Sequence, residues 1–259
     1  FKGFDVAKNQ TNTYGFLTIV STLAWGLGYF GMPHILLRFM ASKNEEQITL
    51  SRRIASIWVV LSMGVAVLIG IVGCAASKNG AFALFTTSSE SETVVIQFAN
   101  LLSQHGFIAA LIAGLVLAGI LACTMSTADS QLLAAASSVS QNLLVDVVGI
   151  KLTDAQKVIA ARLTVVGIAI VAMVIAWNPD SSVFTIVSFA WAGFGASFGP
   201  LMLFSLFWRR TTRLGAICGM LTGGIAVFVW KYMVRPMGGA WDLYELLPAF
   251  LLSCIVIVA

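Results

Sequence analysis

Residues 25–34 read WGLGYFGMPH, and they interrupt a long apolar run with three glycines, one proline and one histidine. Glycine is unfavourable inside a helix and proline removes a backbone donor, so a helix that passes through this stretch must break. In a membrane, unwound backbone persists only where it is buried in protein or lines a cavity. The meaning of the stretch therefore depends on whether the chain lies in a membrane.

The composition is that of a membrane protein. Hydrophobic residues make up 59% of the chain and charged residues only 10%, with a mean hydropathy of +0.93. Soluble domains carry about 25% charged residues, so these values predict a multi-pass membrane protein. The four cysteines lie in apolar runs without metal-type spacing, which favours buried small side chains over disulfide or metal chemistry. No signal peptide is recognisable, and we expect the chain to be a fragment cut at both ends.

The apolar stretches predict an all-α fold of membrane helices, each of which needs about 20 residues to span. We predict spans over residues 14–37 (broken), 54–76, 106–144, 158–177, 183–208, 214–232 and 246–259 (truncated). Residues 94–102 predict a short helix along the membrane surface, and the NPD sequence at 178–180 ends the fourth span.

The basic residues predict the orientation of these spans. The odd-numbered connections carry ten of the 15, namely Arg38, Lys43, Arg52, Arg53, Lys151, Lys157, Arg162, Arg209, Arg210 and Arg213. The opposite side carries Lys2, Lys8, Lys78, Lys231 and Arg235, together with the acidic Glu90 and Glu92. The positive-inside rule places the first group in the cytoplasm, so the first span enters from the outside.

Small residues recur every four positions in two predicted spans. The two series are Gly195 and Gly199, and Gly215, Gly219 and Gly223. This spacing favours close packing between membrane helices. An alternative for Trp191, with Gly193 and Gly195, is a flexible gate.

Gly26, Gly28 and Gly31 also match the G-x-G-x-x-G spacing of dinucleotide-binding loops. Such a loop follows a strand in a soluble βαβ unit, whereas the flanks here are apolar and of membrane length. We therefore predict no nucleotide binding. We also expect no nucleic-acid partner, no organic cofactor and no enzymatic chemistry.

A second polar constellation lies in the third predicted span, where residues 123–131 read CTMSTADSQ. Helical spacing places Cys123, Ser126, Thr127 and Ser130 on one face, with Asp129 three residues after Ser126. Hydroxyl and carbonyl oxygens suit a partly dehydrated alkali cation, and an ionisable residue inside a span indicates a functional site. The alternatives are that the hydroxyls bond to carbonyls one turn back, and that Asp129 lies at the solvated cytoplasmic end of the span.

The two motifs have complementary chemistry. A broken helix frees backbone groups, and the N-terminus of a half-helix attracts an anionic group of a substrate. Trp25, Tyr29 and Pro33 recur every four residues and so line one face before the break. The alternative for the two aromatic residues is a belt at the membrane interface, but their position beside the glycines favours the broken helix.

Four segments carry a resemblance to a known family. They are WGLGYFGMPHILLRFMA (25–41), GILACTMSTADSQLL (119–133), FAWAGFGASFGPLMLFSLFW (189–208) and the region 231–248. The chain resembles the sodium:solute symporter family over nearly its whole length. Within that family, it is most similar to the sodium/proline symporters. The resemblance implies a leucine-transporter-type fold of two inverted five-helix repeats. Residues 1–259 then form a partial transporter domain, the second repeat plus the following helices, in which 14–37 is the discontinuous sixth core helix and 106–144 the eighth.

The resemblance also implies a sodium site. The family's site on the eighth core helix falls on the carbonyl of Cys123 and the hydroxyls of Ser126 and Thr127. A second sodium of some relatives lies near positions that match Asp129 and Ser130.

The substrate site implied by the resemblance lies on the broken helix. The family's proline-site residues fall on Trp25, Tyr29 and Pro33. Freed amides near Gly26 and Gly28 would meet the substrate carboxylate.

The implied function is sodium-coupled symport of proline or a similar small amino acid across the plasma (inner) membrane, by alternating access. Its partners are the amino acid, sodium, the lipid bilayer and the missing N-terminal repeat. The alternatives are a sodium symporter for a different small solute, a transporter-like sensory module of a signalling protein, and a channel. A long soluble extension after Ala259 would favour the sensor, and conduction without saturable, stoichiometric sodium-coupled uptake would favour the channel.

Overall fold

The computed structural model describes residues 2–5, 10–13, 15–177 and 182–259. The predicted start of the first span at Tyr14, the NPD break at 178–180 and Lys8 lie outside these residues. The described chain is almost entirely helical, which confirms the all-α fold class. One feature that the sequence pattern does not predict is a short antiparallel hairpin, β1 (Lys2–Asp5) with β2 (Gln10–Thr13), before the first helix.

Ten α-helices follow in the described part of the chain. They are α1 (Phe16–Ala24), α2 (Pro33–Met40), α3 (Glu45–Lys78), α4 (Ser88–Ser91), α5 (Val94–Ser103), α6 (Phe107–Ser137), α7 (Asp154–Ile175), α8 (Val183–Phe207), α9 (Arg213–Val229) and α10 (Leu246–Val258). A 3₁₀ helix, Trp25–Gly31, joins α1 to α2. Two π-helical segments, Ser138–Val147 and Trp230–Val234, extend α6 and α9, and the 3₁₀ turns Arg235–Met237 and Gly239–Trp241 lead to α10.

Five of the described helices are long and apolar enough to cross a membrane, namely α3, α6 with its π-helical extension, α7, α8, and α9 as far as Met237. The bent pair that α1 and the 3₁₀ helix form with α2 makes a sixth if it counts as one span. Together with α10, which is shorter, these helices follow the seven predicted stretches in order. They support a multi-pass membrane protein.

The largest difference from the predicted boundaries is in α3, which begins at Glu45 rather than near residue 54. Glu45 and Glu46 occupy its first turn, where acidic side chains favour a helix N-terminus. Arg52 and Arg53 therefore lie within the helix and not in a loop. At 1.5 Å per residue a helix of this length extends about 51 Å, which exceeds the hydrocarbon thickness of a bilayer.

The chain forms two compact units, Phe1–Asn44 together with Ser182–Ala259, and Glu45–Ser181. In the first unit, α8 is central and packs against the 3₁₀ helix, α9 and α10. In the second unit, α6 packs against α5 and α7.

Glycines produce the close packing of the first unit, as their spacing predicts. A Cβ added to Gly195 would lie 2.7 Å from the Cα of Gly28, and one added to Gly223 would overlap the carbonyl of Ala196. Gly219 packs against Ile257 in the same way, and its carbonyl accepts a buried hydrogen bond of 2.9 Å from the Ser253 hydroxyl. The packing role that we predicted for both glycine series is confirmed.

Candidate functional site

The break in the first span lies at Met32. Its backbone is extended, with φ −80° and ψ 114°, and the axes of the segments Phe16–Gly31 and Pro33–Met40 differ by 51°. Pro33 occupies the first turn of α2, where its missing N–H removes no helical hydrogen bond. Because proline also disfavours the helical conformation of the residue before it, the sequence places the break at this residue.

The glycine-rich stretch is not unwound, which differs from the sequence-based expectation. Residues Trp25–Gly31 form a continuous 3₁₀ helix, so most of their amide and carbonyl groups are not freed by the break. Glycine tolerates this tight turn, and it also lets the backbone approach α8, as the contact between Gly28 and Gly195 illustrates. The interruption is therefore a change of helix type followed by a single extended residue.

Trp25 lies in a group of stacked rings within the first unit. Its indole stacks on Phe184, Trp191 and Tyr244, with centroid separations of 5.3, 5.5 and 6.0 Å. Its carbonyl accepts a hydrogen bond of 3.0 Å from the indole Nε1 of Trp191. Trp25 is thus half-buried among aromatic side chains.

The glycines of this segment have different surroundings. Gly26 is exposed, and a Cβ added there would have no neighbour within 4 Å. Gly28 is buried beneath Trp191, whose indole a Cβ would overlap. Gly31 is buried against the backbone carbonyl of Phe194. Gly26 and Gly28 were both predicted to lie near a substrate. Within this unit, only Gly26 is accessible to a substrate.

Tyr29 and Pro33, the other two predicted substrate residues, are both exposed. The Tyr29 side chain is 52% exposed, and its ring meets Trp191 edge-on at a centroid separation of 4.8 Å and an interplanar angle of 83°. One side of the phenol ring is therefore fixed by packing while the rest remains accessible.

Tyr244 fixes the other side of the aromatic group. Its backbone N–H donates to the Ser21 hydroxyl at 3.0 Å, and its own hydroxyl donates to the Ser188 carbonyl at 2.6 Å. Burial, and then the charge of the adjacent Glu245, raise the pKa of Tyr244 well above its usual value. The hydroxyl therefore stays protonated at physiological pH and remains a donor.

A buried charge cluster, which no motif in the sequence indicates, follows Tyr244 directly. The Glu245 side chain is 2% exposed and pairs with Arg235 at 3.0 Å and with Lys231 at 3.9 Å. Arg235 also pairs with Asp242 at 3.0 Å, and the Lys231 ammonium lies 3.9 Å from the centre of the Phe189 ring. The only signal in the sequence is that an acid at the start of an apolar run follows two basic residues within 14 positions.

On α6, in the second unit, the predicted cation ligands lie on one exposed helix face. The Thr127 hydroxyl donates to the Cys123 carbonyl at 3.1 Å, and the Ser130 hydroxyl donates to the Ser126 carbonyl at 2.9 Å. Asp129 is exposed. The hydroxyls of Thr127 and Ser130 thus make the bonds to carbonyls one turn back that we considered as the alternative.

These bonds do not prevent cation binding by the same oxygens. A carbonyl oxygen has two lone pairs, and a hydroxyl hydrogen can rotate away from an approaching cation. Hard cations bind oxygen ligands at about 2.4 Å, so two oxygens 3.1 Å apart can contact one ion. The Thr127 hydroxyl and Cys123 carbonyl oxygens therefore lie close enough together for one such ion to contact both.

The predicted substrate residues lie on one segment, but Trp25 and Tyr29 do not share one face as α-helical spacing predicts, because the segment is a 3₁₀ helix with three residues per turn. The predicted cation ligands Cys123, Ser126, Thr127 and Ser130 lie on one face of α6. The first set belongs to the unit that contains α8, and the second set to the unit that contains α6.

Comparison with known proteins identifies the family. The model of the sodium:solute symporter family matches residues 3–223. The chain belongs to the sodium:solute symporter family. This symporter-family chain is 40% identical over 243 residues to the sodium/proline symporter of Salmonella typhimurium, which covers 94% of the chain and 46% of the relative. It is 42% identical over 238 residues to the high-affinity proline transporter PutP of Bacillus subtilis, which covers 92% of the chain and 47% of the relative.

A third relative is the sodium/proline symporter of Staphylococcus aureus, 39% identical over 247 residues. The symporter-family chain spans about half the length of the curated relatives it matches. No solved structure matches it. The relatives are transporters by name and not enzymes, and on that ground the prediction of a non-enzymatic protein is confirmed.

Proposed function

We propose that the full-length protein is a sodium-coupled symporter of proline or a similar small amino acid. The observation that carries this proposal is the identity of about 40% over more than nine-tenths of the chain with relatives named sodium/proline symporters. The polar features of α6 and of the broken span supply chemistry that suits this activity.

In this proposal sodium binds to the exposed face of α6. The Cys123 carbonyl and the hydroxyls of Ser126 and Thr127 are its ligands, and Asp129 and Ser130 are candidates for a second sodium. The oxygen pair of Thr127 and Cys123 supports this assignment because its separation suits a shared cation. Bound sodium stabilises the outward-open state, and no organic cofactor takes part.

The amino acid binds to the broken span. Its carboxylate meets the N-terminus of the half-helix that begins at Pro33, where the helix dipole favours an anion, and the exposed Gly26 leaves the 3₁₀ helix open to the solute. The exposed ring of Tyr29 packs on the apolar part of the substrate, with Trp25 behind it. Gly28 contributes by its close packing, since its α-carbon lies beneath Trp191.

Transport follows by alternating access, in which one repeat moves relative to the other around the bound solutes. This requires the N-terminal repeat that the family resemblance implies. We place the protein in the plasma membrane, with the basic connections in the cytoplasm.

Uptake of labelled proline tests the proposal. The full-length protein is expressed in cells that lack their own proline uptake, and initial rates are measured with sodium and with an impermeant replacement cation. We expect saturable uptake that requires sodium and that excess unlabelled proline abolishes.

The competition pattern identifies the solute. Other amino acids, added in excess, should compete only to the extent that they share the size of proline. Sodium-dependent uptake of another solute, with no competition by proline, would contradict the assignment of proline. Saturable proline uptake without sodium would contradict the coupling.

A further inference from the structure

We propose that Trp191 on α8 is the positioning residue of the substrate segment, and that its indole fixes how Tyr29 and the exposed backbone at Gly26 are presented to the amino acid. The inference rests on the proposed function, and it adds a residue outside the broken span. Trp191 does not need to touch the substrate in order to act.

The first support is a hydrogen bond to the start of the 3₁₀ helix. The indole Nε1 of Trp191 donates to the carbonyl of Trp25 at 3.0 Å, across 166 positions of sequence. A carbonyl oxygen has two lone pairs, so the Trp25 carbonyl can accept this bond in addition to its bond within the 3₁₀ helix, and the added bond favours one position of Trp25 relative to α8. Gly26 follows directly in the chain, and its orientation is therefore set by the same bond.

The second support is steric. The indole of Trp191 occupies the space above Gly28, where any added Cβ would overlap it. It also meets the Tyr29 ring edge-on at 4.8 Å and stacks on Trp25 at 5.5 Å. One side chain thus contacts three of the residues that we assign to the substrate segment.

The third support is the close packing of α8 on either side of Trp191. The next residue on α8, Ala192, is 0% exposed, and one turn later Gly195 packs directly against the backbone of Gly28. Two successive turns of α8 therefore hold the same segment, one through the indole and one through backbone contact. A shift of this part of α8 must move Trp25 and Tyr29 together.

The consequence for specificity is geometric. The amino acid must fit between the exposed backbone at Gly26 and the accessible part of the Tyr29 ring. Trp191 sets the separation and angle of these two groups, so it sets the size of solute that can satisfy both. Its removal should weaken the binding of proline, with little effect on the sodium ligands, which lie on another helix.

The first test is Trp191→Phe in the full-length protein. Phenylalanine retains a ring near Gly28 but cannot donate to the Trp25 carbonyl. We expect the KM for proline to rise about 3- to 10-fold, the scale of one lost hydrogen bond, with maximal rate, surface abundance and half-saturating sodium unchanged. A variant that lowers abundance and maximal rate but leaves KM unchanged would indicate a merely structural role and would overturn the proposal.

The second test is a double-mutant cycle. Gly28→Ala alone should raise KM at least about tenfold, because its methyl group displaces the indole. In a Trp191→Leu background, which removes the overlapping ring, Gly28→Ala should add little to the effect of Trp191→Leu. Gly193→Ala serves as the matched control, since its Cβ would meet nothing within 4 Å, and its effect should be the same in both backgrounds.

Equal effects of Gly28→Ala in both backgrounds would overturn the proposal, since the methyl group would then act independently of Trp191. The unmodified protein distinguishes this outcome from failure of the proposed function. If the unmodified protein takes up proline with sodium and the cycle shows no coupling, only the role of Trp191 is wrong. If the unmodified protein shows no such uptake, the function itself is wrong.

Discussion

The Thr127 hydroxyl is hydrogen-bonded within α6, and it is also a proposed ligand of sodium. It donates to the Cys123 carbonyl at 3.1 Å, so both oxygens already lie side by side on the helix surface. A cation that binds both must replace one hydrogen bond with two ion–oxygen contacts, and little rearrangement of the backbone is required. The same local bond that satisfies the hydroxyl would therefore also hold the two oxygens of the proposed site in place.

Removal of this hydroxyl should affect sodium more than proline. We expect Thr127→Val to raise the half-saturating sodium concentration about tenfold or more, the scale of one lost contact to a charged group, while valine retains the shape of the side chain. The measurement is initial proline uptake as a function of sodium concentration.

Thr124 provides the matched control on the same helix. Its hydroxyl donates to the Ile120 carbonyl at 3.0 Å, so Thr124→Val removes an equivalent local bond from a residue outside the proposed site. We expect this variant to keep the sodium dependence of the unmodified protein. Equal sodium dependence of the Thr127 and Thr124 variants would remove Thr127 from the site.

Tyr29 should show the opposite selectivity. We expect Tyr29→Ala to raise the KM for proline about tenfold and to leave half-saturating sodium nearly unchanged, because its exposed ring packs on the substrate and lies on a different element from the cation ligands. The adjacent Phe30, which is 44% exposed, gives the control variant Phe30→Ala. A larger change in sodium affinity than in proline affinity would exclude Tyr29 from the substrate site.

Residues related by local spacing can be predicted from the sequence, whereas residues related only by tertiary packing cannot. The face that holds Cys123, Ser126 and Thr127 follows from helical periodicity alone, so it was accessible from the sequence. The hydrogen bond from Trp191 to Trp25 was not, because it joins residues 166 positions apart and depends on how α8 packs. The burial of Glu245 was missed for the same reason.

The broken span illustrates how an element can differ from its sequence signal. Glycine and proline both predict a break, but they act differently here. Pro33 places the extended residue at Met32, whereas the glycines permit a 3₁₀ helix and a close approach to α8. Propensity alone does not distinguish a glycine that unwinds a helix from one that lets it pack.

Two glycines of α8 test this distinction. Gly195→Ala should lower the stability of the first unit by about 1–3 kcal/mol, because its Cβ would lie 2.7 Å from the Cα of Gly28 and 2.9 Å from Leu246. Gly193→Ala, two residues away in open space, should be neutral or more stable by up to about 1 kcal/mol, since alanine is the better helix former.

The measurement is the thermal unfolding midpoint of the purified full-length variants in detergent. A midpoint for the Gly195 variant at or above that of the Gly193 variant would contradict the packing that we describe between α8 and the 3₁₀ helix.

For the molecule as a whole, length and composition were the most informative signals. A bilayer requires apolar helices of a certain length, so the order of the apolar helices can be deduced from hydropathy without knowledge of their packing. The length of α3 beyond its apolar part was harder to predict, because polar helical turns outside the bilayer carry no such constraint.

The charge distribution makes a prediction about orientation. In a bacterial host, a reporter that requires disulfides formed in the periplasm should be active when fused after Ser91 and inactive when fused after Arg210. A fusion after Gly238, on the other side of α9, should again be active. Activity after Arg210 together with inactivity after Ser91 would reverse the proposed orientation.

The buried cluster around Glu245 has a consequence for biosynthesis. Arg235 precedes Glu245 by ten residues, and Lys231 lies one helical turn earlier, so the ribosome has made both cations before the carboxylate appears. We expect α9 and α10 to leave the translocon as a hairpin whose charges are already paired, because Glu245 at the start of α10 would otherwise cross the bilayer as an unpaired acid. The order of residues along the chain thus lets a buried acid enter the membrane with its partners.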